Sequence, residues 1–177
     1  MKEFHGLQVE VGSVPELDTQ FLPISKVYAA FRESVGEAGV PVTLAVEREN
    51  EQYTSFQISI HGTEKMREID LMMVERIVKT MLWFYGGFRV FISAPDDVVS
   101  YLKDSYREGG TRAFDAHDMT KVYEKPFEIV AVAEHEIPKA HNVPKSIGRH
   151  LDGCRIGFDA GGSDRKVSAV VDGEAIW

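Results

Sequence analysis

The feature that most restricts how this chain can fold is one stripe of apolar residues. Met66, Ile69, Met73, Ile77, Met81 and Phe84 recur every three or four positions, and Val74, Val78 and Leu82 widen the stripe. A helical period puts them on one side of a helix, and a stripe of that length must be buried against another layer. Thr63 is a candidate N-cap and Gly86-Gly87 a stop. The flanking segments supply the other layer. Val42, Leu44 and Val46 alternate with polar positions, as do Phe56, Ile58 and Ile60, with Glu49-Asn50-Glu51 between them, which predicts an antiparallel hairpin. Val90-Phe91-Ile92 reads as a short buried strand. Ser93-Ala94-Pro95-Asp96-Asp97 opens a helix carrying Val98, Val99 and Leu102, and 127–133 reads as another strand after Pro126. Strand, helix and strand in that order imply a crossover. The expected fold class is therefore α/β, with α+β as the alternative: a mixed sheet with covering helices.

Smaller signals complete the outline. The first eleven residues, with Phe4, Leu7, Val9 and Val11, read as one strand. Phe21, Ile24, Val27, Tyr28, Phe31 and Val35 predict a helix over roughly 17–37, its regular part starting at Pro23, and a short helix is expected near 113–123. With 177 residues and roughly 150 residues per domain, the chain holds about one domain and a remainder. The expected division is an α/β accessory domain over 1–134, a linker over 135–150 that is rich in proline, lysine and histidine, and a separate piece over 151–177. Composition narrows the function classes. A hydrophobic content of 44% is ample for a packed core, and a net charge of −8 argues against nucleic acid as a partner. No apolar run approaches the roughly 18 residues that span a bilayer, and Met1-Lys2-Glu3-Phe4-His5 begins no signal peptide, so a cytoplasmic protein without a membrane partner is expected. The single cysteine, Cys154, excludes an intrachain disulfide.

One stretch asks for a chemical explanation: Ile156-Gly157-Phe158-Asp159-Ala160-Gly161-Gly162-Ser163. A strand ending in Asp159 puts a carboxylate at the strand mouth, where it can hold a hydrated magnesium ion beside phosphate. Gly161 and Gly162 let backbone N–H groups approach an anion closely, and the Ser163 hydroxyl adds a donor. The plainer reading is a hairpin turn whose aspartate satisfies local donors. A second strand follows over 167–171, Asp172-Gly173 turns the chain, and Ala175-Ile176-Trp177 starts a further strand.

This succession, a strand, Asp-x-Gly-Gly-Ser and a second strand ending in Asp-Gly, resembles the first phosphate motif of the actin-like ATPase superfamily. It looks most like the repressor/ORF/kinase (ROK) sugar kinases. The resemblance is confined to about 155–177. It implies that 151–177 is the opening β-hairpin of an actin-like ATPase domain that binds ATP with magnesium, with Asp159 as the magnesium-coordinating acid and Gly161, Gly162 and Ser163 as the phosphate-contacting turn. The family commonly has Lys directly after its Thr; here Asp164 stands there, and Lys166, two residues on, is the candidate for that role. The resemblance further implies ATP-dependent phosphoryl transfer to a sugar-like hydroxyl. It puts the family's catalytic base and zinc motif on later segments, so the chain is expected to be the front part of a longer protein and to hold no catalytic residue of its own. The alternative is a non-catalytic interaction or oligomerisation module whose last strands pair with a partner or a second copy.

Other constellations have structural explanations. His135, His141 and His150 with Glu134, Glu136 and Cys154 are competent metal donors, but their spacing reads as solvated linker histidines and a cysteine in a strand core. Ser93 to Asp97 is a helix cap. Trp83, Phe84 and Tyr85 read as core closure, with an exposed platform for a sugar ring as the alternative.

Overall fold

The computed structural model describes residues 1–143 and 151–177. Two compact units result, Met1–Asn142 and Val143–Trp177. The first is an α/β unit built on a mixed sheet. Its strands are β3 (Val40–Arg48), β4 (Gln52–Ile60), β5 (Arg89–Ser93) and β6 (Glu128–Ala131), in spatial order β4-β3-β5-β6. A small hairpin of β1 (Lys2–Phe4) and β2 (Leu7–Val9) precedes them. The helices are α1 (Ile24–Val35), α2 (Arg67–Tyr85), α3 (Asp96–Tyr106) and α4 (Ala113–Tyr123).

β3 and β4 form the expected antiparallel hairpin in a register that opposes Val42 to Ile58 and Leu44 to Phe56. β5 runs antiparallel to β3 and parallel to β6, and α3 and α4 make the crossover between the parallel pair. Alternation puts Val42, Leu44, Val46, Ile58, Ile60, Val90 and Ile92 on one sheet face, all buried. Against them pack Ile69, Met73, Val74, Val78 and Leu82 of α2, Val27 and Phe31 of α1, and Val98 and Leu102 of α3, in one continuous core that also takes in Leu7 and Val9. The chain can pass from α2 to β5 only because residue 87 is glycine. Its φ is +148°, and a Cβ there would stand 2.1 Å from Val46 Cγ1 and 2.8 Å from the Glu47 carbonyl oxygen.

The opposite face carries polar pairs. Arg89 donates to Glu47 at 2.9 Å and to Glu128 at 2.8 Å, and the rings of Tyr53 and Phe91 meet at 6.3 Å. Beyond β6 the chain stays tied to the sheet. Thr43 Oγ1 donates to Glu134 at 2.8 Å, and His141 exchanges backbone hydrogen bonds with Tyr53 at 2.9 and 3.0 Å. These bonds extend the first unit to Asn142, so the front of the 135–150 segment belongs to it. Residues 144–150 of that segment, with His150, lie outside the described residues.

Several local expectations are corrected. The first residues form two strands, because His5 (φ 46°) and Gly6 (φ 84°) both adopt the left-handed conformation of a two-residue hairpin turn. α1 starts at Ile24, with Pro23 at its cap position, and Leu17 before it is fully exposed. Thr63 precedes a short 3₁₀ turn, Glu64–Met66, and makes no side-chain cap bond. Trp83, Phe84 and Tyr85 do not close the core. Three successive helical residues span about 200° of circumference, so they cannot all face one sheet; Met81 and Leu82 take the buried positions, and Phe84 is 77% exposed. Trp83 stacks on Phe114 and donates its indole N–H to Asp115 at 2.6 Å. Among the described residues no helix is long and apolar enough to cross a membrane.

Candidate functional site

The second unit is a three-stranded meander, β7 (Cys154–Ala160), β8 (Arg165–Val171) and β9 (Glu174–Ala175), in spatial order β7-β8-β9. β7 and β8 pair antiparallel, with Ile156 opposite Ala169, Phe158 opposite Val167 and Asp159 opposite Lys166. Opposed residues share a face. One face therefore carries Cys154, Ile156, Phe158, Val167, Ala169 and Val171, and the other Arg155, Gly157, Asp159, Lys166 and Ser168. Asp172 (φ 48°) and Gly173 (φ 86°) make the turn into β9. The Asp172 carboxylate accepts from the Gly153 N–H at 2.7 Å. Cys154 is exposed, not the core residue expected of it.

Asp159 lies inside β7, one residue short of its end, and the turn itself spans 161–164. Lys166 Nζ stands 3.7 Å from Asp159 and 3.4 Å from Asp164, so two carboxylates converge on one ammonium. All three side chains are more than half exposed, and such surface pairs contribute little to stability. Neither Gly161 nor Gly162 has a positive φ. At Gly161 a Cβ would meet Asp164 Oδ1 at 2.5 Å and would push that exposed carboxylate aside. At Gly162 the space above Cα is open. Among the described residues, no hydrogen bond uses the N–H groups of Gly162 and Ser163 or the Ser163 hydroxyl.

The turn thus brings together all five residues singled out in the sequence. Asp159 and Lys166 face each other across the strands, and Gly162 and Ser163 present free donors at the tip. Asp164 joins them; its proximity to Lys166 was missed because it reads only as a departure from the family pattern. The donor set suits magnesium, which binds through one or two carboxylates, keeps several waters and takes its remaining ligands from phosphate. The ammonium of Lys166 marks the point where a cation is held between Asp159 and Asp164. The Asp164 carboxylate beside Gly161 would oppose a bare phosphate there, whereas the N–H groups of Gly162 and Ser163 are free to donate.

Among the described residues no three His, Cys, Asp or Glu side chains converge on a metal position. His141 is instead engaged through its backbone with Tyr53.

Comparison with known protein families, with characterised proteins and with solved structures finds no match to this chain.

Proposed function

We propose that the β7–β8 hairpin is a phosphate grip for magnesium-bound ATP, and that the chain forms the front part of a ROK-like sugar-kinase ATPase. The observation that carries this reading is the tip of the hairpin. Unpaired N–H groups of Gly162 and Ser163 lie next to a carboxylate pair already arranged around a cation. Asp159, with Asp164 beside it, would hold the metal. Gly162 and Ser163 would donate to the phosphate oxygens, and Gly161 lets the Asp164 carboxylate fold over the turn. Lys166 would balance the two carboxylates until the metal displaces it. When bound, the magnesium ion neutralises phosphate charge; these residues bind and orient the nucleotide and supply no base to the acceptor hydroxyl. The role proposed for this chain is nucleotide binding, with a sugar-like acceptor handled elsewhere in the protein.

A second reading has its own support. The apolar face of the meander is open, with Ile156 80%, Phe158 65% and Val167 42% exposed, which suits strands that pack on a partner or on a second copy. Calorimetric titration with magnesium ATP separates the two. Binding heat that disappears in Asp159→Ala, with the fold retained, supports the phosphate grip. Heat unchanged by that substitution contradicts it.

A further inference from the structure

Away from the hairpin, one constellation in the first unit has the order of a nucleophile, a base and an orienting acid. Ser34, in the last turn of α1, is exposed, and its Oγ lies 3.0 Å from Nε2 of His61. Nδ1 of His61 lies 2.7 Å from Oδ1 of Asp70. The imidazole and the carboxylate are both buried, at 8% and 4% side-chain exposure. Asp70 also accepts the backbone N–H of His61 at 3.0 Å and of Gly62 at 2.9 Å. An ionised carboxylate only accepts, so the Asp70 contact assigns the imidazole proton to Nδ1 and leaves the Nε2 lone pair for the Ser34 hydroxyl. Phe31 packs edge-on against the ring with centroids 5.0 Å apart, which fixes its plane.

We propose that Ser34 is a base-activated acyl acceptor for activated esters and thioesters. Ser34 Oγ attacks the acyl carbonyl carbon and forms the new C–O bond while its proton passes to His61 Nε2. The adduct then collapses with cleavage of the bond to the alcohol or thiol, which leaves with that proton. The product is an ester on Ser34, with His61 neutral again. Asp70 is a positioning residue that holds the productive tautomer and faces the imidazolium formed in the step. The end of α1 favours the same cation, because the carbonyl end of a helix carries partial negative charge. That field opposes an oxyanion, and the N–H of Gly36, just past the helix, is already bonded to the Arg32 carbonyl. Acylation is therefore assisted by the base alone, and the same lack of oxyanion donors keeps hydrolysis of the acyl-serine slow.

The test is labelling of the full chain with a fluorophosphonate probe and with p-nitrophenyl acetate, read by intact mass and peptide mapping. The expected result is one adduct on Ser34, formed about 10²-fold faster than on any other serine and lost in Ser34→Ala. Asp70→Ala removes the acceptor that holds Nδ1–H. It is expected to slow labelling by about 10²-fold, to the rate of the other serines, a readout that a purely structural contact would not move. In case Asp70→Ala does not fold, Ser34→Cys carries the same question: its thiol should react with iodoacetamide about tenfold faster than exposed Cys154. An unlabelled Ser34 in the folded chain, an unchanged rate in folded Asp70→Ala, or equal thiol rates overturns the proposal.

Discussion

The same alternation of apolar and polar residues has two outcomes in this molecule. In β3, Val42, Leu44 and Val46 have no exposed surface, because α1, α2 and α3 lie against that face of the sheet. In β7, Ile156 and Phe158 occupy equivalent alternate positions and stay open to solvent. A period of two identifies a strand and its apolar face, but says nothing about what covers that face. In the first unit the cover is written nearby, in the stripe along 66–82. The described residues of the second unit supply no such cover of their own, and its polar side carries Asp159 and Lys166.

The contrast can be broken most forcefully by removing core volume. Leu44→Ala is expected to destabilise the first unit by about 3 kcal/mol, since a fully buried leucine leaves a cavity. The exposed counterpart Phe158→Ala should stay within about 0.5 kcal/mol, as surface substitutions do. Chemical denaturation of both variants checks the pair, and equal losses would contradict the assigned burial.

A smaller effect is expected at the clasp between α2 and α4. Glu75 is buried and receives a two-pronged contact from Arg112, and the same arginine lies 3.9 Å from buried Asp115. Arg112→Ala strands the buried Glu75 carboxylate, while Asp115 keeps the Trp83 N–H, and should cost about 2 kcal/mol, reduced because Arg112 is itself partly exposed. Restoring stability by a further Glu75→Gln would sharpen the attribution.

Tyr106 gives a pH-dependent probe of the same core. Burial, followed by the Glu75 and Asp115 carboxylates, pushes its phenol above the ordinary value of 10.0. The unfolded chain ionises this group near pH 10 while the folded chain keeps it neutral. Its contribution is therefore complete below pH 10 and is lost as pH rises beyond it. Tyr106→Phe should flatten the fall in melting temperature above pH 10. Because the Tyr106 hydroxyl has no hydrogen-bond partner among the described residues, the substitution should change neutral-pH stability by no more than about 1 kcal/mol. The smallest expected effect on folding is that of Ile156→Thr with Phe158→Thr: an unchanged melting temperature of the first unit, with reduced binding of an apolar dye.

Much of the fold was legible because its period was strong. The stripe from Ile69 to Leu82, the Val42–Val46 and Ile58–Ile60 alternation, and the crossover into β6 all read directly from spacing. The ends were less legible. Phe84 continues the stripe in sequence, yet it is 77% exposed while Met81 and Leu82 take the buried positions. The tie between His141 and Tyr53 is a backbone bond that leaves no pattern. The hairpin residues were visible as a local motif, whereas Ser34, His61 and Asp70 come from three elements. The one available signal was Asp70 itself, a carboxylate among the apolar positions of α2 and therefore in need of partners once buried.

The most direct test of the phosphate grip is an amide-resolved NMR titration of the chain with magnesium ATP. The account expects the N–H signals of Gly162 and Ser163 to move most, with millimolar or tighter affinity, and Asp159→Ala to abolish the shifts. No movement of those amides up to about 10 mM nucleotide, where even weak specific binding saturates, would contradict it.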